Sequence, residues 1–182
     1  MRLFIAVVIP NEIQKKLFSM QNKMPEEVAK IKWVEEENIH MTLKFLGEVD
    51  DEKIDGIKKA LSSVELKPFE CSVKGFGTFP NDNYVKVIWA GIEPAESFMK
   101  LHEKIDDALL PLGFGKDSRF SPHVTIGRVR FFKDKEKLME SLDVLKNTVI
   151  EEKFVTDSFV LKKSTLTEKG PVYEDIGVFE GK

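Results

Sequence analysis

Two of the three histidines in the chain head the same short pattern, His40-Met41-Thr42-Leu43 and His123-Val124-Thr125-Ile126. On a strand, alternate side chains share a face, so each His and Thr project together while Met41, Leu43, Val124 and Ile126 turn toward a core. One such copy is most simply a satisfied strand histidine beside a strand threonine. Two copies are harder to dismiss. Imidazole titrates at about 6.5, so one ring can be neutral and take a proton while its twin is protonated and gives one. Threonine hydroxyls can hydrogen-bond the nonbridging oxygens of a phosphoryl group as charge builds on them. Together these groups suit metal-free phosphodiester chemistry, with base and acid on opposite sides of phosphorus. A metal centre is the competing reading, and it needs a third or fourth ligand. The remaining histidine, His102, sits beside the apolar stripe of a helix, reads as a surface residue, and has no acidic cluster tied to either motif.

The elements around the motifs repeat. Leu3 to Ile9 reads as a buried strand, followed by Pro10 and a helix with its apolar stripe at Ile13, Leu17, Met20 and Met24. Tyr84 to Ile92 reads the same way, followed by Pro94 and a helix burying Phe98, Leu101, Ile105 and Leu109. Ile39 to Leu46 and His123 to Phe131 are strands, each leading to an acidic helix start at Asp51 or Asp134. Those helices bury Ile54, Ile57, Leu61 and Val64, and Leu138, Leu142 and Leu145. Strands at Phe69 to Phe79 and Phe154 to Leu161 complete the halves. Pro10 and Pro94 are 84 residues apart, His40 and His123 are 83, Asp51 and Asp134 are 83, and Phe69 and Phe154 are 85. One offset serves four kinds of element, which predicts a duplicated α+β unit with the two motifs facing each other about a pseudo-twofold axis.

Composition sets the frame for that unit. With 182 residues, 42% hydrophobic and 32% charged, the chain has material for one core and is expected to form a single domain, 1–182, of two pseudo-symmetric lobes. A lone cysteine, Cys71, excludes an internal disulfide framework and reads as a small buried strand residue. The longest apolar run is far too short for a membrane span, which gives a cytoplasmic expectation. The net charge of −3 argues against bulk affinity for nucleic acid. Yet Arg119, Arg128 and Arg130 fall in a window, Gly113 to Lys137, that holds seven basic and three acidic residues. That window is either an anion site or a solvated basic face. Trp33 and Phe45 read as core, with stacking against a nucleobase as the alternative. Gly75-x-Gly77 leads into no helix and is a weak phosphate-loop signal.

With its paired His-x-Thr-x motifs the sequence resembles the two-histidine (2H) phosphoesterases, specifically the archaeal and bacterial RNA 2′,3′-cyclic phosphodiesterases, also called the 2′-5′ RNA ligase family. The resemblance spans nearly the whole chain. It takes in Arg2-Leu3-Phe4-Ile5-Ala6-Val7, the block Asn38 to Glu48, the block Phe120 to Arg128, Leu161-Lys162-Lys163-Ser164 and Gly170-Pro171-Val172-Tyr173. It implies a bilobal α+β fold, two antiparallel sheets around a central cleft with helices outside. It implies His40 as proton donor, His123 as proton acceptor, Thr42 and Thr125 as holders of the phosphate, Arg128 as a further phosphate contact, and neither metal nor cofactor. Strict alternation would turn Arg128 toward the core with Val124 and Ile126, unless Gly127 permits a bulge.

The implied reaction is hydrolysis of RNA 2′,3′-cyclic phosphate ends to 2′-phosphates by a monomeric enzyme, with weak reversible joining of tRNA halves through a 2′-5′ linkage. Two alternatives stay open: a 2H phosphoesterase acting on small cyclic nucleotides, and a noncatalytic RNA- or nucleotide-binding protein that keeps the cleft.

Overall fold

Period-two apolar runs and four amphipathic stripes become nine strands and four helices in the computed structural model, which describes residues 1–81, 84–168 and 170–181. In chain order these are β1 (Arg2–Val8), α1 (Asn11–Gln21), β2 (Ala29–Trp33), β3 (His40–Glu48), α2 (Ile54–Ser62), β4 (Phe69–Asn81) and β5 (Tyr84–Glu93). They continue with α3 (Ala95–Leu109), β6 (His123–Phe132), α4 (Lys135–Lys146), β7 (Glu151–Thr156), β8 (Ser158–Thr167) and β9 (Gly170–Glu180). Pro10 and Pro94 stand at the N-caps of α1 and α3, where a missing N–H costs nothing. Asp134 caps α4 by accepting from the Lys137 N–H at 3.1 Å.

All strand pairs are antiparallel, in the order β7-β4-β5-β6-β3-β1-β8-β9, with β2 pairing β6 over Gly127 to Phe132, beyond the Val124 contact with β3. The order divides naturally at β3 and β6, which meet at one registered pair, Met41 with Val124. Where two sheets around a cleft were expected, the nine strands form one continuous hydrogen-bonded sheet, and the part on each side of that junction curls as an antiparallel sheet of its own. The stretch Phe154 to Leu161, expected as one strand, is broken at Asp157. Up to Thr156 it pairs with β4, and from Val160 it pairs with β1 in the other sheet. Likewise β4, expected to close the first half, pairs with β5 and β7. The chain therefore crosses between the sheets: β3, β1, β8 and β9 bring its two ends together, while β4 to β7 come from its middle, with β2 added on β6.

One core lies between the sheets and their helices. It joins Leu3, Ile5 and Val7 of β1 to Met41, Leu43, Val124 and Ile126, and to Leu17, Ile57, Leu61, Phe98, Ile105 and Leu142 of the helices. Burying Ile57 and Leu61 of α2 contributes about 1.5–3 kcal/mol each, more than nine residues of helix propensity supply. The opposite face of β1 carries Phe4 and Ala6, which pack with Val160 and Tyr173 as a small second cluster under the cleft. Cys71 is buried against the Phe154 carbonyl and Thr156, and burial pushes its thiol up, away from a reactive thiolate. No helix among the described residues is long and apolar enough to cross a membrane.

Candidate active site

The Met41–Val124 pair fixes where the two motifs meet. Met41 and Val124 point into the core, so their flanking residues, His40 and Thr42 on β3 and His123 and Thr125 on β6, turn to the other face. Antiparallel pairing sets His40 beside Thr125 and Thr42 beside His123, which leaves the histidines on one diagonal and the threonines on the other. In a regular ladder that diagonal is about 8 Å between Cα atoms. All four residues line one cleft of about 1470 Å³.

Each motif strand carries a bulge in the same place. Phe4 and Ala6 of β1, two residues apart, face Phe45 and Thr42 of β3, three apart. Val87 and Trp89 of β5, two apart, face Arg128 and Thr125 of β6, again three apart. The extra residue reverses the alternation, so Phe45 and Arg128 rejoin the cleft face and both line the cleft. The bulge itself needs no glycine, since Lys44 holds the same place on β3; at Gly127 the missing side chain instead admits the Trp33 ring. A Cβ there would lie 2.6 Å from the Trp33 ring. The bulge carbonyls are met by side chains from the helices: Gln21 of α1 donates to Ile126 O at 3.3 Å, and His102 of α3 donates to Leu43 O at 2.9 Å.

Both motif histidines are held alike. The His40 Nδ1–H donates to Asn38 O at 2.6 Å, and the His123 Nδ1–H donates to Ser121 O at 2.7 Å. Nε2 is thereby left as the exchangeable atom of each ring, and on His40 it accepts from the Thr42 hydroxyl at 3.0 Å. Edge-on aromatic rings fix the planes: Tyr173 against His40 at 5.4 Å and 88°, Phe79 against His123 at 5.0 Å and 86°. Burial, with smaller contributions from the charges of Lys162, Arg128 and His123, lowers the His40 pKa to about 4 against the pull of its Asn38 bond. Burial and then Arg128 also lower His123, against its Ser121 bond. Lys162 reaches this neighbourhood because it stands opposite Phe4 in the β1–β8 register, paired with Asp175.

The rest of the predicted constellation is partly gathered. Arg130 joins Arg128 in the cleft wall, along with Arg2, Lys32 and Lys163, whereas Arg119 is not among the lining residues. Phe45 is not core: it stands 65% exposed in the cleft. Trp33 is half-buried, closing over Gly127 and lining the same cleft. His102 is not a surface residue but 4% exposed, behind β3 and stacked on Phe120 at 4.0 Å. Asp106, one helical turn on, and Asp117 do form an acidic cluster with it. The i,i+4 spacing of His102 and Asp106 carried that signal. Among the described residues these three are the one group that could hold a metal ion, but the Lys44 ammonium already lies 2.6 Å from Asp106 and 3.4 Å from Asp117. Asn38, Ser121 and Tyr173 join the site without any chemical signal of their own in the sequence, although Asn38 and Ser121 obey the 83-residue offset.

The family model described as LigT like Phosphoesterase matches residues 7–89 and 92–173. The chain belongs to the LigT-like phosphoesterase family. As such it is 41% identical to the RNA 2′,3′-cyclic phosphodiesterase of Methanocaldococcus jannaschii over 97% of this chain and 98% of that one. It is 40% identical to the protein of the same name from Archaeoglobus fulgidus, over 99% of this chain and 100% of that one. Among solved structures, this LigT-like phosphoesterase superposes on TT0787 of Thermus thermophilus with a TM-score of 0.79 at 29% identity, covering 99% and 97% of the two chains. Escherichia coli LigT complexed with 3′-AMP, at 22% identity, shares the fold with a TM-score of 0.77 over 99% and 97% of the chains.

Proposed function

We propose that this protein hydrolyses RNA ends bearing a 2′,3′-cyclic phosphate to 2′-phosphates by paired-histidine general acid–base catalysis. The observation that carries the reading is the matched anchoring of two rings. Each gives Nδ1–H to the carbonyl two residues before it, leaving Nε2 to exchange protons in a cleft shared with two threonines. The names of its full-length relatives supply the substrate class.

In this mechanism the phosphoryl group lies between the histidines, held by Thr42, Thr125 and Arg128. His123 takes a proton from the attacking water, and His40 gives one to the departing 3′-oxygen. The P–O3′ bond breaks as the new P–O bond forms, and the 2′-ester is retained. An RNA 5′-hydroxyl in place of water gives 2′-5′ ligation of tRNA halves by the same proton transfers. In the free protein the burial and positive charge around His40 oppose the protonated form that the donor role needs. A bound phosphodiester anion offsets Arg128 and Lys162 and itself favours the imidazolium, working against the burial and raising the share of charged donor in the complex. Phe45, exposed beside Thr42, offers a face on which the terminal base stacks. Every group invoked comes from one chain, so a cytoplasmic monomer suffices and no step uses a metal or cofactor.

The test offers purified protein, with chelator, an oligonucleotide ending in a 2′,3′-cyclic phosphate and, separately, 3′,5′-cyclic nucleotides. The reading expects a 2′-phosphate end from the oligonucleotide. Turnover of the 3′,5′-cyclic nucleotides alone would favour a small-molecule phosphoesterase, and binding without turnover would favour the noncatalytic reading.

A further inference from the structure

We propose that Lys44, which does not face the cleft, is a positioning residue for the two-histidine centre: with His102 it fastens the strand carrying His40 to the loop that delivers His123. The inference rests on the paired-histidine reading above.

The bulge on β3 turns Lys44 away from Thr42 and into the interior, where its side chain is 2% exposed. Its ammonium donates to Gly115 O at 2.8 Å and lies 2.6 Å from Asp106 Oδ1 and 3.4 Å from Asp117 Oδ2. Gly115 and Asp117 belong to segment 113–122, which contains no helix or strand and ends at His123. Asp117 is tied a second time, its N–H donating to Asp106 Oδ2 at 3.0 Å. Farther along the segment, Phe120 stacks on His102 at 4.0 Å and 7°, and His102 donates to Leu43 O at 2.9 Å. Both fastenings therefore end on adjacent residues of one bulge, Leu43 and Lys44. The residue after Phe120 is Ser121, whose carbonyl holds the His123 ring.

A segment without ladder or helix bonds keeps one conformation only if its polar groups and rings are pinned elsewhere. Between β3 and β6 themselves there is the single Met41–Val124 pair, which sets the spacing of the strands but not the path of the loop. Lys44 supplies direction, because an ammonium with three oxygens around it fixes all three at once. Replacing a buried ion pair by apolar packing is often neutral for stability, so stability alone is a weak reason for a lysine here. The matching position on β6 is Gly127, where Trp33 fills the space. The device is thus one-sided, and it acts on His123 from the His40 strand.

Lys44→Met and Asp117→Asn test this, the second because Asp117 is 43% exposed and its loss leaves the core intact. Two readouts are taken on folded protein: the imidazole nitrogen and carbon resonances of His123, and kcat with KM on an oligonucleotide 2′,3′-cyclic phosphate. The expected result is a shift of the His123 signals with kcat down about tenfold to a hundredfold and KM within about threefold. If Lys44→Met does not fold, Asp117→Asn decides. A lowered melting temperature with wild-type His123 signals, or with wild-type kcat, overturns the proposal. If the wild type itself does not turn over the substrate, the catalytic reading fails, and the His123 resonances alone decide whether Lys44 positions the ring.

Discussion

Met41 and Val124 are registered partners across the junction of the two sheets, and both are completely buried. The spacing of the two motifs follows from that contact, because the four polar side chains are its immediate neighbours. Met41→Ala should destabilise the fold by about 3 kcal/mol, the usual size for emptying such a site. It should also lower turnover in protein that remains folded. Urea denaturation and single-turnover kinetics on the same sample check the pair of effects, and unchanged turnover would show that the junction does not govern the geometry.

Gly127 and Trp33 form a second dependency. Adding a methyl group at Gly127 drives it into the indole, so Gly127→Ala should cost about 1–3 kcal/mol. Because the same bulge delivers Arg128 to the cleft, the variant should also bind substrate more weakly. Trimming the obstacle in Gly127→Ala/Trp33→Leu should recover part of the stability, read as a melting temperature above that of the single variant.

Titration supplies a third expectation. His40 falls from about 6.5 in the unfolded chain to about 4 in the fold, so the folded protein binds fewer protons between those values. Stability should be full above pH 6.5 and decline as pH falls toward 4, by at most about 3 kcal/mol from this group. His40→Asn should flatten that decline. With both rings lowered, kcat/KM should peak on the acid side of pH 6.5 and fall through neutrality. Lys162→Met removes a charge that depresses His40, so it should enlarge the fraction of enzyme with His40 charged and His123 neutral, read as a higher kcat/KM at the optimum. A profile flat from pH 5 to 8 would separate the reaction from both histidines.

Much of this arrangement is legible in the chain. The paired motifs, the helix stripes and the 83-residue offset all rest on local periodicity, and the helices that bury Phe98 and Leu142 follow it. What escapes depends on partners distant in sequence. The bulge at Leu43–Lys44 has no glycine to announce it, unlike Ile126–Gly127, so nothing local turns Phe45 out to the cleft or Lys44 into the interior. The crossing at Asp157 lacks a Gly or Pro breaker, and β9 alternates charged and exposed residues at a sheet edge, leaving little apolar signal. His102 reads as a surface residue because its partners, Leu43 and Phe120, lie on other elements.

The basic window also resolves into unequal parts. Arg128 and Arg130 line the cleft, and Arg119 does not. Arg128→Ala should weaken both an oligonucleotide and a mononucleotide 2′,3′-cyclic phosphate, Arg130→Ala chiefly the oligonucleotide, and Arg119→Ala neither. Plots of affinity against salt should lose a slope of about one unit for each phosphate contact removed. Equal slopes in all three variants would make the window a solvated face.

The central claim is that two histidines, and nothing else, move the protons. Single-turnover hydrolysis of an oligonucleotide 2′,3′-cyclic phosphate, with chelator present, should be measured for wild type, His40→Ala and His123→Ala. The account predicts turnover by the wild type to a 2′-phosphate and a loss of about 10²–10⁴ in rate for each variant, both still folded. Wild-type rates in either folded variant would contradict it.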